Sequence, residues 1–321
     1  MTATIFIDGE AGTTGLQIRS RLQGRDDLRL ISLGDAERKD VERRRARLNE
    51  ADIAILCLPD DASREAVAMI ETDHVRVIDA SSAHRTAEGW IYGFPEFAPQ
   101  QRDEIARARF VTNPGCYAIT SVAMLHPLTQ AGLIPSDHPV TINAVSGYSG
   151  GGKGLIAAFE DETAETYTTE AFRLYGLGLN HKHVPEIRRW AGLDRAPLFV
   201  PSVGRYRQGM LVSLPLQLDA LPGAPTPDAL YDALAARYGD EGYVEVLGPA
   251  ETAEIATLDP ESLNGTNKLR LHVFANEAAR QALVVGLIDN LGKGASGQAL
   301  QNLNIMLGAP EGRGLDAPLL L

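Results

Sequence analysis

Short apolar runs alternate with amphipathic segments along the first third of the chain. The apolar runs predict buried strands, and the segments between them have apolar positions at helical spacing. The runs are "TIFID" (4–8), "LRLISL" (28–33), "ADIAILCL" (51–58), "VRVID" (75–79) and "RFVT" (109–112). Strands that alternate with helices are typical of a parallel sheet with both faces covered. The pattern therefore predicts a doubly wound α/β domain of the Rossmann type.

The pattern changes after about residue 138, where longer strands with strict alternation begin. In "KLRLHVF" (268–274) Leu269, Leu271 and Val273 share one face of a strand. The run "RQALVVGLID" (280–289) follows closely, so these two strands are expected to pair in antiparallel fashion. "LFVPSVGRYRQGMLVSLPLQL" (198–218) predicts a further unit of two strands. This part is predicted to be an α+β domain with an antiparallel or mixed sheet.

Composition narrows the class of protein. The 321 residues are enough for two domains, and the net charge of -12 argues against nucleic-acid binding, which needs a basic face. The two cysteines, Cys57 and Cys116, are too few for a disulfide framework or a thiolate zinc cage. No segment has the ~20 apolar residues of a membrane helix, and the N-terminus is unlike a secretory signal. We therefore expect a cytoplasmic protein that acts on a small molecule without a metal.

"IFIDGEAGTTGLQI" (5–18) places three glycines between the first strand and the first helix. Glycines here allow a pyrophosphate to approach the backbone N–H groups of the helix N-terminus. The spacing is a relaxed form of the dinucleotide fingerprint, which by itself could also serve a plain turn. Because a strand precedes it and a helix follows it, we expect this turn to bind a dinucleotide. The residues concerned are Gly9, Gly12, Thr13, Thr14 and Gly15.

The residues after the second strand indicate which dinucleotide binds. An NAD enzyme usually has an acidic residue about 20 positions after the turn, at the strand tip. Asp35 lies beyond the strand end, whereas Ser32 is at the tip and Arg38 and Lys39 follow it. A hydroxyl group and cations suit a 2′-phosphate better than a free diol, although such charges also coat solvated helix starts. NADP is therefore the predicted cofactor.

"NPGCYAITSVAMLHPL" (113–128) places Cys116 behind a Pro-Gly break and at the start of an apolar helical pattern. The sulfur is predicted to lie in the first turn of a helix, at the carboxyl edge of the parallel sheet, where ligands gather. The positive helix end favours thiolate over thiol at that position. An unpaired cysteine is usually a small buried hydrophobe, which is our interpretation of Cys57. Cys116 is predicted to be functional.

Two later stretches carry further candidates for chemistry. "NHKHVPEIRRW" (180–190) contains His181 and His183, with Glu186 one turn later. A general acid–base role is favoured over metal ligation because no third ligand group stands out, and a surface pair that caps a helix is the structural alternative. "AVSGYSGGGKG" (144–154) combines glycine-rich backbone with Lys153, which suits a phosphate or phosphoryl oxygen. It is predicted to be a substrate or phosphate loop, with a plain flexible loop as the alternative.

A dinucleotide turn, a cysteine at a strand–helix corner, a later histidine and a phosphate loop together indicate thiol-mediated reduction of an acyl phosphate. The chain resembles the short form of the N-acetyl-γ-glutamyl-phosphate reductase family of arginine biosynthesis, which is similar in fold and mechanism to aspartate-semialdehyde dehydrogenase. The resembling stretches span nearly the whole chain in order: "IDGEAGTTGLQIRSRL", "AILCLPDDASREAV", "DASSAHR", "YGFPE", "TNPGCYAIT", "VSGYSGGGK", "HKHVPEI" and "DNLGKGASGQALQNLN". Asn-Pro-Gly-Cys-Tyr is particularly specific.

The resemblance implies a reaction and a set of roles. Cys116 would form a thioester with the γ-acyl group of the substrate, NADPH would reduce it to the semialdehyde, and His183, or else His181, would exchange protons. Asn290 would meet the nicotinamide carboxamide, and Gly294 would allow its close approach. The other implied cofactor and substrate positions are Ser81, Ser82, Arg85, Asn113, Gly147, Lys153 and Glu186. Glu10 departs from the family pattern, because longer relatives have a small residue there.

The resemblance also implies the domain organisation. The C-terminal helix would pack onto the nucleotide domain, so that residues 1–118 with 290–321 form the NADP-binding domain and residues 119–289 form the catalytic domain. A homodimer or homotetramer is expected. Three other functions stay open at this point: an aspartate-semialdehyde dehydrogenase, a cofactor-free cysteine hydrolase and a nucleotide-sensing regulator. Arg205, Tyr206 and Arg207 are candidates for holding the substrate carboxylate, or form a charge cluster at a strand edge.

Overall fold

The computed structural model describes residues 2–34, 37–38 and 40–315. Its strands are β1 (Ala3–Asp8), β2 (Leu28–Ile31), β3 (Ile53–Leu56), β4 (Arg76–Asp79), β5 (Ile91–Tyr92), β6 (Phe110–Thr112), β7 (Thr141–Gly147), β8 (Phe172–Leu174), β9 (Leu198–Gly204), β10 (Met210–Gln217), β11 (Val244–Val246), β12 (Leu269–Asn276) and β13 (Gln281–Ile288). Its helices are α1 (Thr13–Leu22), α2 (Val41–Glu50), α3 (Asp60–Ala68), α4 (Gln101–Arg107), α5 (Cys116–Gln130), α6 (Gly152–Glu160), α7 (Val184–Trp190), α8 (Pro227–Tyr238), α9 (Pro249–Ala253) and α10 (Gly297–Leu307). Short 3-10 turns lie at Tyr148–Gly151 and Leu218–Ala220, and a π-helical turn lies at Gly292–Ser296.

The chain divides into two compact units. Unit 1 contains the described residues up to Pro95, then Pro99–Gly115 and the described residues from Ala295 onwards. Unit 2 contains Glu96–Ala98 and Cys116–Gly294. Cys116 is therefore the first residue of the long segment of unit 2.

Unit 1 is the doubly wound α/β domain that the apolar runs predict. Its six-stranded sheet has the order β2-β1-β3-β4-β6-β5, and each neighbouring pair is parallel. Phe6, Leu56 and Val77 of the central strands are buried with Leu48 of α2 in one apolar cluster. The fold class is confirmed. β5 has only two residues, too short to be recognised from alternation in the sequence.

The last helix, α10, belongs to unit 1 and packs against α1, α4 and β4. The apolar residues at 299, 303 and 306 on one face of α10 do not by themselves account for its burial, because polar residues on its other faces are buried as well. Asn302 Nδ2 donates to the Gly93 carbonyl oxygen over 2.9 Å, and Asn304 Nδ2 donates to the Glu311 carbonyl oxygen over 2.9 Å. These amides let the helix be buried on all sides within unit 1. The domain boundaries that the family resemblance implies stay a prediction.

Unit 2 contains a mixed sheet with the order β11-β12-β13-β10-β7-β9-β8. β12 and β13 pair in antiparallel fashion, as predicted, whereas β7 and β9 are parallel and so are β11 and β12. The prediction that residues 198–218 form a two-strand unit is wrong in its pairing. β9 and β10 both form, but β7 lies between them and bonds to each. The connection at 205–209 bonds instead to the end of β7, where Gly147 N–H donates to the Gly209 carbonyl oxygen.

One face of this sheet is covered by α5. Gly286 of β13 makes the close packing possible, because a Cβ there would lie 2.3 Å from Thr120 Cγ2 of the helix. α5 has 15 residues, is buried along most of its length and contains Pro127. No helix among the described residues is long and apolar enough to cross a membrane.

Candidate active site

The glycine turn between β1 and α1 depends on close backbone packing. Gly9 has a φ of +85°, and a Cβ there would lie 2.3 Å from the Cys57 carbonyl oxygen. A Cβ on Gly15 would lie 2.5 Å from the Gly9 carbonyl oxygen. Gly12 precedes the helix, so Thr13 and Thr14 begin it with N–H groups that no helix carbonyl can accept. This cradle fits a dinucleotide pyrophosphate. Contact with these residues stays a prediction.

A cluster of charged and polar side chains lies beside this turn. Arg19 Nη1 is 2.7 Å from Glu10 Oε1, and the Ser32 hydroxyl donates to Glu10 Oε2 over 3.1 Å. Arg19 Nη1 also donates to Ser32 Oγ over 3.4 Å. Ser32 could be identified from the sequence, whereas Arg19 looks there like an ordinary exposed helix residue. The available signal was Glu10 itself, because a carboxylate in a pyrophosphate-binding turn needs a cation nearby.

The cations that follow β2 have different surroundings. Arg38 is exposed, and Lys39 lies outside the described residues, so their contact with a 2′-phosphate stays a prediction. The arginines of "RRR" (43–45) are neutralised within unit 1. Their carboxylate partners are Glu37 for Arg43, Asp8 for Arg44 and Glu71 for Arg45.

The segment "DASSAHR" (79–85) is held by its own hydrogen bonds. The Ser81 hydroxyl donates to Asp79 Oδ2 over 2.7 Å, and the Ser82 hydroxyl donates to Asp60 Oδ2 over 2.8 Å. Arg85 is buried and donates to the carbonyl oxygens of Ala80 and Asn113, over 2.9 and 3.1 Å. These bonds fix the segment after β4. Cofactor contacts of Ser81 and Ser82 and a substrate contact of Arg85 stay predictions.

His84 in the same segment is a feature that no pattern in the sequence indicated. Its Nδ1 is 2.6 Å from Asp79 Oδ2, and its ring stacks on Trp90 with centroids 4.2 Å apart. Burial alone would raise the pKa of Asp79, but the hydrogen bonds from His84 and Ser81 bring it below its usual value. The carboxylate is therefore ionised at neutral pH and orients both partners.

The two cysteines have different electrostatic surroundings. Cys116 is the first residue of α5, where the helix dipole and the N–H groups of the first turn stabilise a thiolate. Cys57 follows β3 in unit 1, where burial and then the carboxylates of Asp79 and Asp8 raise the pKa of its thiol to about 12. A thiol with that pKa is a poor nucleophile at neutral pH. Cys116 is the candidate nucleophile.

Gly294 lies directly against Cys116. A Cβ on Gly294 would be 2.8 Å from Cys116 Cβ, so only glycine fits there without displacement. Gly294 belongs to the π-helical turn, in which Lys293 is fully buried with its ammonium group 2.8 Å from Oε1 of the equally buried Glu96. This ion pair anchors the turn that packs on the nucleophile. The approach of Gly294 to a nicotinamide stays a prediction.

Tyr117 connects the nucleophile to the histidine pair. Its ring centroid is 5.9 Å from that of His181 and 5.8 Å from that of His183, and the two histidine rings are 4.8 Å apart. Its hydroxyl donates to the Ser202 carbonyl oxygen and accepts from the Tyr175 hydroxyl over 3.0 Å. The structure thus brings both predicted histidines against the residue that follows Cys116. Neither tyrosine was identified from the sequence.

The two histidines differ in their hydrogen bonds. His181 Nδ1 accepts the backbone N–H of His183 over 3.2 Å, so a neutral His181 carries its proton on Nε2. His183 is buried at the N-terminus of α7, and the buried Glu186 lies in the first turn of the same helix. Among the described residues no three metal-ligating side chains converge. His181 is suited to donate from Nε2, and His183 is the better candidate to exchange protons.

Two predicted asparagines already have protein partners. Asn290 Oδ1 accepts the Gly209 N–H over 2.7 Å, and its Nδ2 donates to Ser149 Oγ over 3.0 Å. In unit 1, Asn113 Nδ2 donates to the Ala295 carbonyl oxygen over 3.0 Å. A ligand contact at either amide would share these groups with the protein. Such contacts stay predictions.

The glycine-rich segment after β7 is regular rather than a flexible loop. Gly147 ends the strand, where a Cβ would lie 2.6 Å from the Arg207 carbonyl oxygen, and the 3-10 turn and α6 follow at once. Lys153 is exposed in the first turn of α6, an arrangement that fits a phosphate. Arg207 pairs with Glu160 over 3.0 Å, and Arg205 donates to the Thr168 carbonyl oxygen. These bonds favour the charge-cluster interpretation for Arg205 and Arg207, whereas the buried hydroxyl of Tyr206 has no hydrogen-bond partner among the described residues and its substrate contact stays a prediction.

Family models match both parts of the chain. The model described as the semialdehyde dehydrogenase NAD binding domain matches residues 7–105. The model described as the semialdehyde dehydrogenase dimerisation domain matches residues 116–290, and it begins at Cys116.

Curated relatives match over nearly their full length. The chain is 54% identical to N-acetyl-gamma-glutamyl-phosphate reductase 2 of Pseudomonas putida, over 98% of this chain and 99% of the relative. It is 56% identical to N-acetyl-gamma-glutamyl-phosphate reductase of Burkholderia cenocepacia, over 95% and 97% respectively. The protein of that name from Trichormus variabilis is 51% identical, over 97% and 98%.

Solved structures share the fold at low identity. Aspartate semialdehyde dehydrogenase II from Vibrio cholerae matches with a TM-score of 0.68 and 18% identity, over 96% of this chain and 99% of that one. Aspartate semialdehyde dehydrogenase with NADP from Candida albicans matches with a TM-score of 0.65 and 12% identity, over 96% and 99%. At these identities the likeness establishes the fold alone.

Proposed function

The chain belongs to the N-acetyl-gamma-glutamyl-phosphate reductases of the semialdehyde dehydrogenase family, and we propose that it reduces N-acetyl-γ-glutamyl phosphate with NADPH in arginine biosynthesis. The products are N-acetyl-L-glutamate 5-semialdehyde and phosphate. The observation that carries the proposal is Cys116 at the first position of α5, packed against Gly294 and followed by the tyrosine that contacts both histidines.

Cys116 is the nucleophile of this reaction. Its thiolate attacks the γ-acyl carbon, the bond from that carbon to the phosphate oxygen breaks, and phosphate leaves with the electron pair. Gly9, Gly12, Thr13, Thr14 and Gly15 would hold the pyrophosphate of NADPH, which would supply the hydride when bound. After hydride reaches the thioester carbon, the carbon–sulfur bond breaks, the aldehyde is released and Cys116 returns to its thiolate.

His183 exchanges the proton at the substrate carbonyl oxygen. The thiohemiacetal oxygen carries negative charge after hydride addition, and an imidazolium at His183 neutralises it and then takes the proton back. Glu186 on the same helix favours that imidazolium. We expect His183→Asn to lower kcat by at least about 10²-fold and to remove a near-neutral ionisation from the pH–rate profile. We expect His181→Asn to raise KM more than it lowers kcat, and the opposite pattern would exchange the two roles.

The deciding experiment is an absorbance assay of phosphate-dependent NADP reduction with N-acetylglutamate semialdehyde. We expect the wild type to be active and Cys116→Ser to lose more than about 10³-fold in kcat while it still binds NADPH. Cys57→Ser is the matched control and keeps its activity. Turnover of aspartate semialdehyde but not of the N-acetylated substrate would overturn the substrate assignment. Wild-type activity in Cys116→Ser would overturn the mechanism.

We also propose that the open face of the sheet in unit 2 joins two copies of the chain. This face, opposite α5, exposes Phe172, Leu174 and Leu283 around an apolar groove of about 640 Å³. The family model described as a dimerisation domain covers this region, which supports the proposal. We expect Leu283→Glu to lower the mass measured by sedimentation equilibrium, whereas the control Val41→Glu, on an exposed residue of unit 1, leaves it unchanged. An unchanged mass for Leu283→Glu would exclude this face.

A cytoplasmic location is part of the same proposal. Both cysteines are free, and a thiolate nucleophile works best in a reducing compartment. Fractionation of cells that produce the protein tests this location, and recovery in an oxidising compartment would contradict it.

A further inference from the structure

Glu10 is an unexpected residue in a turn that holds a pyrophosphate, because like charges repel. Both of its carboxylate oxygens are engaged by side chains outside the turn. Oε1 is 2.7 Å from Arg19 Nη1, and Oε2 accepts the Ser32 hydroxyl over 3.1 Å. Three elements of unit 1 therefore meet in one cluster, which we call the Glu10 cluster: the turn, α1 and the tip of β2.

The position of the Glu10 cluster in the fold indicates which part of the cofactor it faces. β2 pairs with β1 in register up to Phe6 and Ile31, so Ser32 lies at the strand tip next to the glycine turn. In a doubly wound nucleotide domain, this tip faces the ribose of the adenosine half, where an acid recognises the 2′-hydroxyl of NAD and a cation recognises the 2′-phosphate of NADP. The Glu10 cluster contains both an acid and a cation. The cluster therefore has a group that can recognise NAD and a group that can recognise NADP.

The side chains of Arg19 and Glu10 differ in their exposure to solvent. The Arg19 side chain is 48% exposed and the Glu10 side chain 17% exposed, so the cation lies on the solvent side of the carboxylate. The arginines of α2 at 43–45 are already paired with the carboxylates of Glu37, Asp8 and Glu71. Arg19 is thus a cation whose partner sits within the ribose-recognition region itself.

We propose that Glu10 is a specificity-determining residue that competes with the 2′-phosphate of NADP for Arg19 and Ser32. When a 2′-phosphate binds, the guanidinium and the hydroxyl change partner from carboxylate to phosphate, and Glu10 turns away because two anions cannot share the site. When a ribose with a free 2′-hydroxyl binds, Glu10 keeps its place and accepts a hydrogen bond from it. Glu10 therefore lowers the preference for NADP over NAD, and Arg19 raises it.

The test measures binding without any substrate. Isothermal titration calorimetry compares 2′,5′-ADP with 5′-AMP, which differ only in the 2′-phosphate, and then NADP⁺ with NAD⁺. We expect Glu10→Gln to tighten 2′,5′-ADP by about tenfold, the effect of one charge-assisted contact. We expect the same variant to weaken 5′-AMP by about threefold, because a neutral amide oxygen accepts the 2′-hydroxyl less strongly than a carboxylate does. We expect Arg19→Gln to weaken 2′,5′-ADP by about tenfold and to leave 5′-AMP unchanged, and Arg19→Lys to retain most of the preference. Arg47→Gln, which alters an exposed arginine paired with Glu50 on α2, is the matched control and changes neither ligand.

The outcomes separate the proposal from a purely structural role. Equal weakening of both ligands by Glu10→Gln would mean that the carboxylate only shapes the turn, and the proposal would be overturned. An unchanged ratio of the two affinities in Arg19→Gln would overturn it as well, whether or not the Glu10 variant folds. The inference rests on the proposed function only for the identity of the cofactor. Its failure would leave the Cys116→Ser assay unaffected, so the two are tested separately.

Discussion

Gly294 shows how the site depends on the absence of one side chain. A Cβ there would lie 2.8 Å from Cys116 Cβ and 3.1 Å from the Asp289 carbonyl oxygen, and neither neighbour is the end of a flexible side chain. Gly294→Ala must therefore displace the nucleophile or the π-helical turn. We expect kcat to fall by about 10²-fold, the cost of a misplacement near 1 Å, as measured by steady-state kinetics.

Gly242→Ala is the control for this substitution. A Cβ at Gly242 meets no atom within 4 Å, so its kcat is expected to match the wild type. If Gly294→Ala kept the wild-type kcat, the π-helical turn would have moved without displacing the sulfur of Cys116. The proposal that Gly294 positions the nucleophile would then be contradicted.

The two thiols are expected to differ in their reactivity toward iodoacetamide. The pKa of Cys57 is raised to about 12, so at neutral pH it is a thiol, whereas Cys116 lies at a helix N-terminus that favours thiolate. Mass spectrometry after limited alkylation is expected to find the label on Cys116 and to find less of it when acyl phosphate is present. During treatment with iodoacetamide, the Cys57→Ser variant is expected to lose activity at the same rate as the wild type. If the loss of activity followed the labelling of Cys57 instead, the assignment of Cys116 as the nucleophile would be contradicted.

At the residue scale, the sequence predicted groups that a local motif defines and missed groups that only the fold brings together. Cys116 follows a Pro-Gly break and precedes an apolar helix, so its position could be inferred from its neighbours alone. Arg19 and Ser32 are 13 positions apart and meet through the pairing of β1 with β2. Glu96 and Lys293 are 197 positions apart. No local pattern encodes such pairs.

Among the elements, the π-helical turn at Gly292–Ser296 contains one half of a fully buried ion pair. Lys293 and Glu96 are both fully buried with 2.8 Å between Nζ and Oε1, and the ammonium lies 5.5 Å from the centre of the Tyr243 ring. Lys293→Met removes the cation that lies 2.8 Å from the fully buried carboxylate of Glu96. We expect Lys293→Met to lower the free energy of unfolding by about 3–5 kcal/mol in urea titrations.

An exposed ion pair gives the comparison for this prediction. Arg64 and Asp61 on α3 are 3.1 Å apart with side chains 54% and 98% exposed, and Arg64→Gln is expected to cost less than about 1 kcal/mol. If Lys293→Met and Arg64→Gln lowered the free energy of unfolding by equal amounts, the Lys293–Glu96 pair would not anchor the turn.

Element pairing was harder to predict than the elements themselves. Alternation in the sequence located β9, β10, β12 and β13, but it contains no information on which strand lies beside which. The hairpin-like spacing of β9 and β10 favours direct pairing, yet β7 bonds to both. The backbone bonds between the end of β7 and residues 206–209 take the place of a hairpin turn. Partners distant in sequence decide this topology.

For the whole molecule, two histidines with lowered pKa values, the half-buried His126 and the buried His272, contribute to the response to acid. Burial and then Arg237 lower the pKa of His126 to about 4, and burial and then Arg270 lower the pKa of His272 to about 4. In the unfolded chain a histidine titrates near pH ~6.5. Between these values the unfolded state binds two protons that the folded state does not. The stability that these neutral rings contribute is therefore complete above pH ~6.5 and is lost as the pH falls toward ~4.

Urea unfolding between pH 7 and pH 5 tests this origin of acid sensitivity. His126 and His272 each contribute a slope of up to about 1.4 kcal/mol per pH unit to the free energy of unfolding below the unfolded pKa. His272 is 1% exposed and stacks on Phe274 with the rings 15° apart, so phenylalanine is a close replacement in shape. We expect His272→Phe to flatten the pH dependence by the share of one histidine, and His74→Gln, which alters an exposed histidine, to leave it unchanged. A phenylalanine ring takes up no proton in the folded or the unfolded state. If the free energy of unfolding of His272→Phe depended on pH as steeply as that of the wild type, His272 would not be a source of the acid sensitivity.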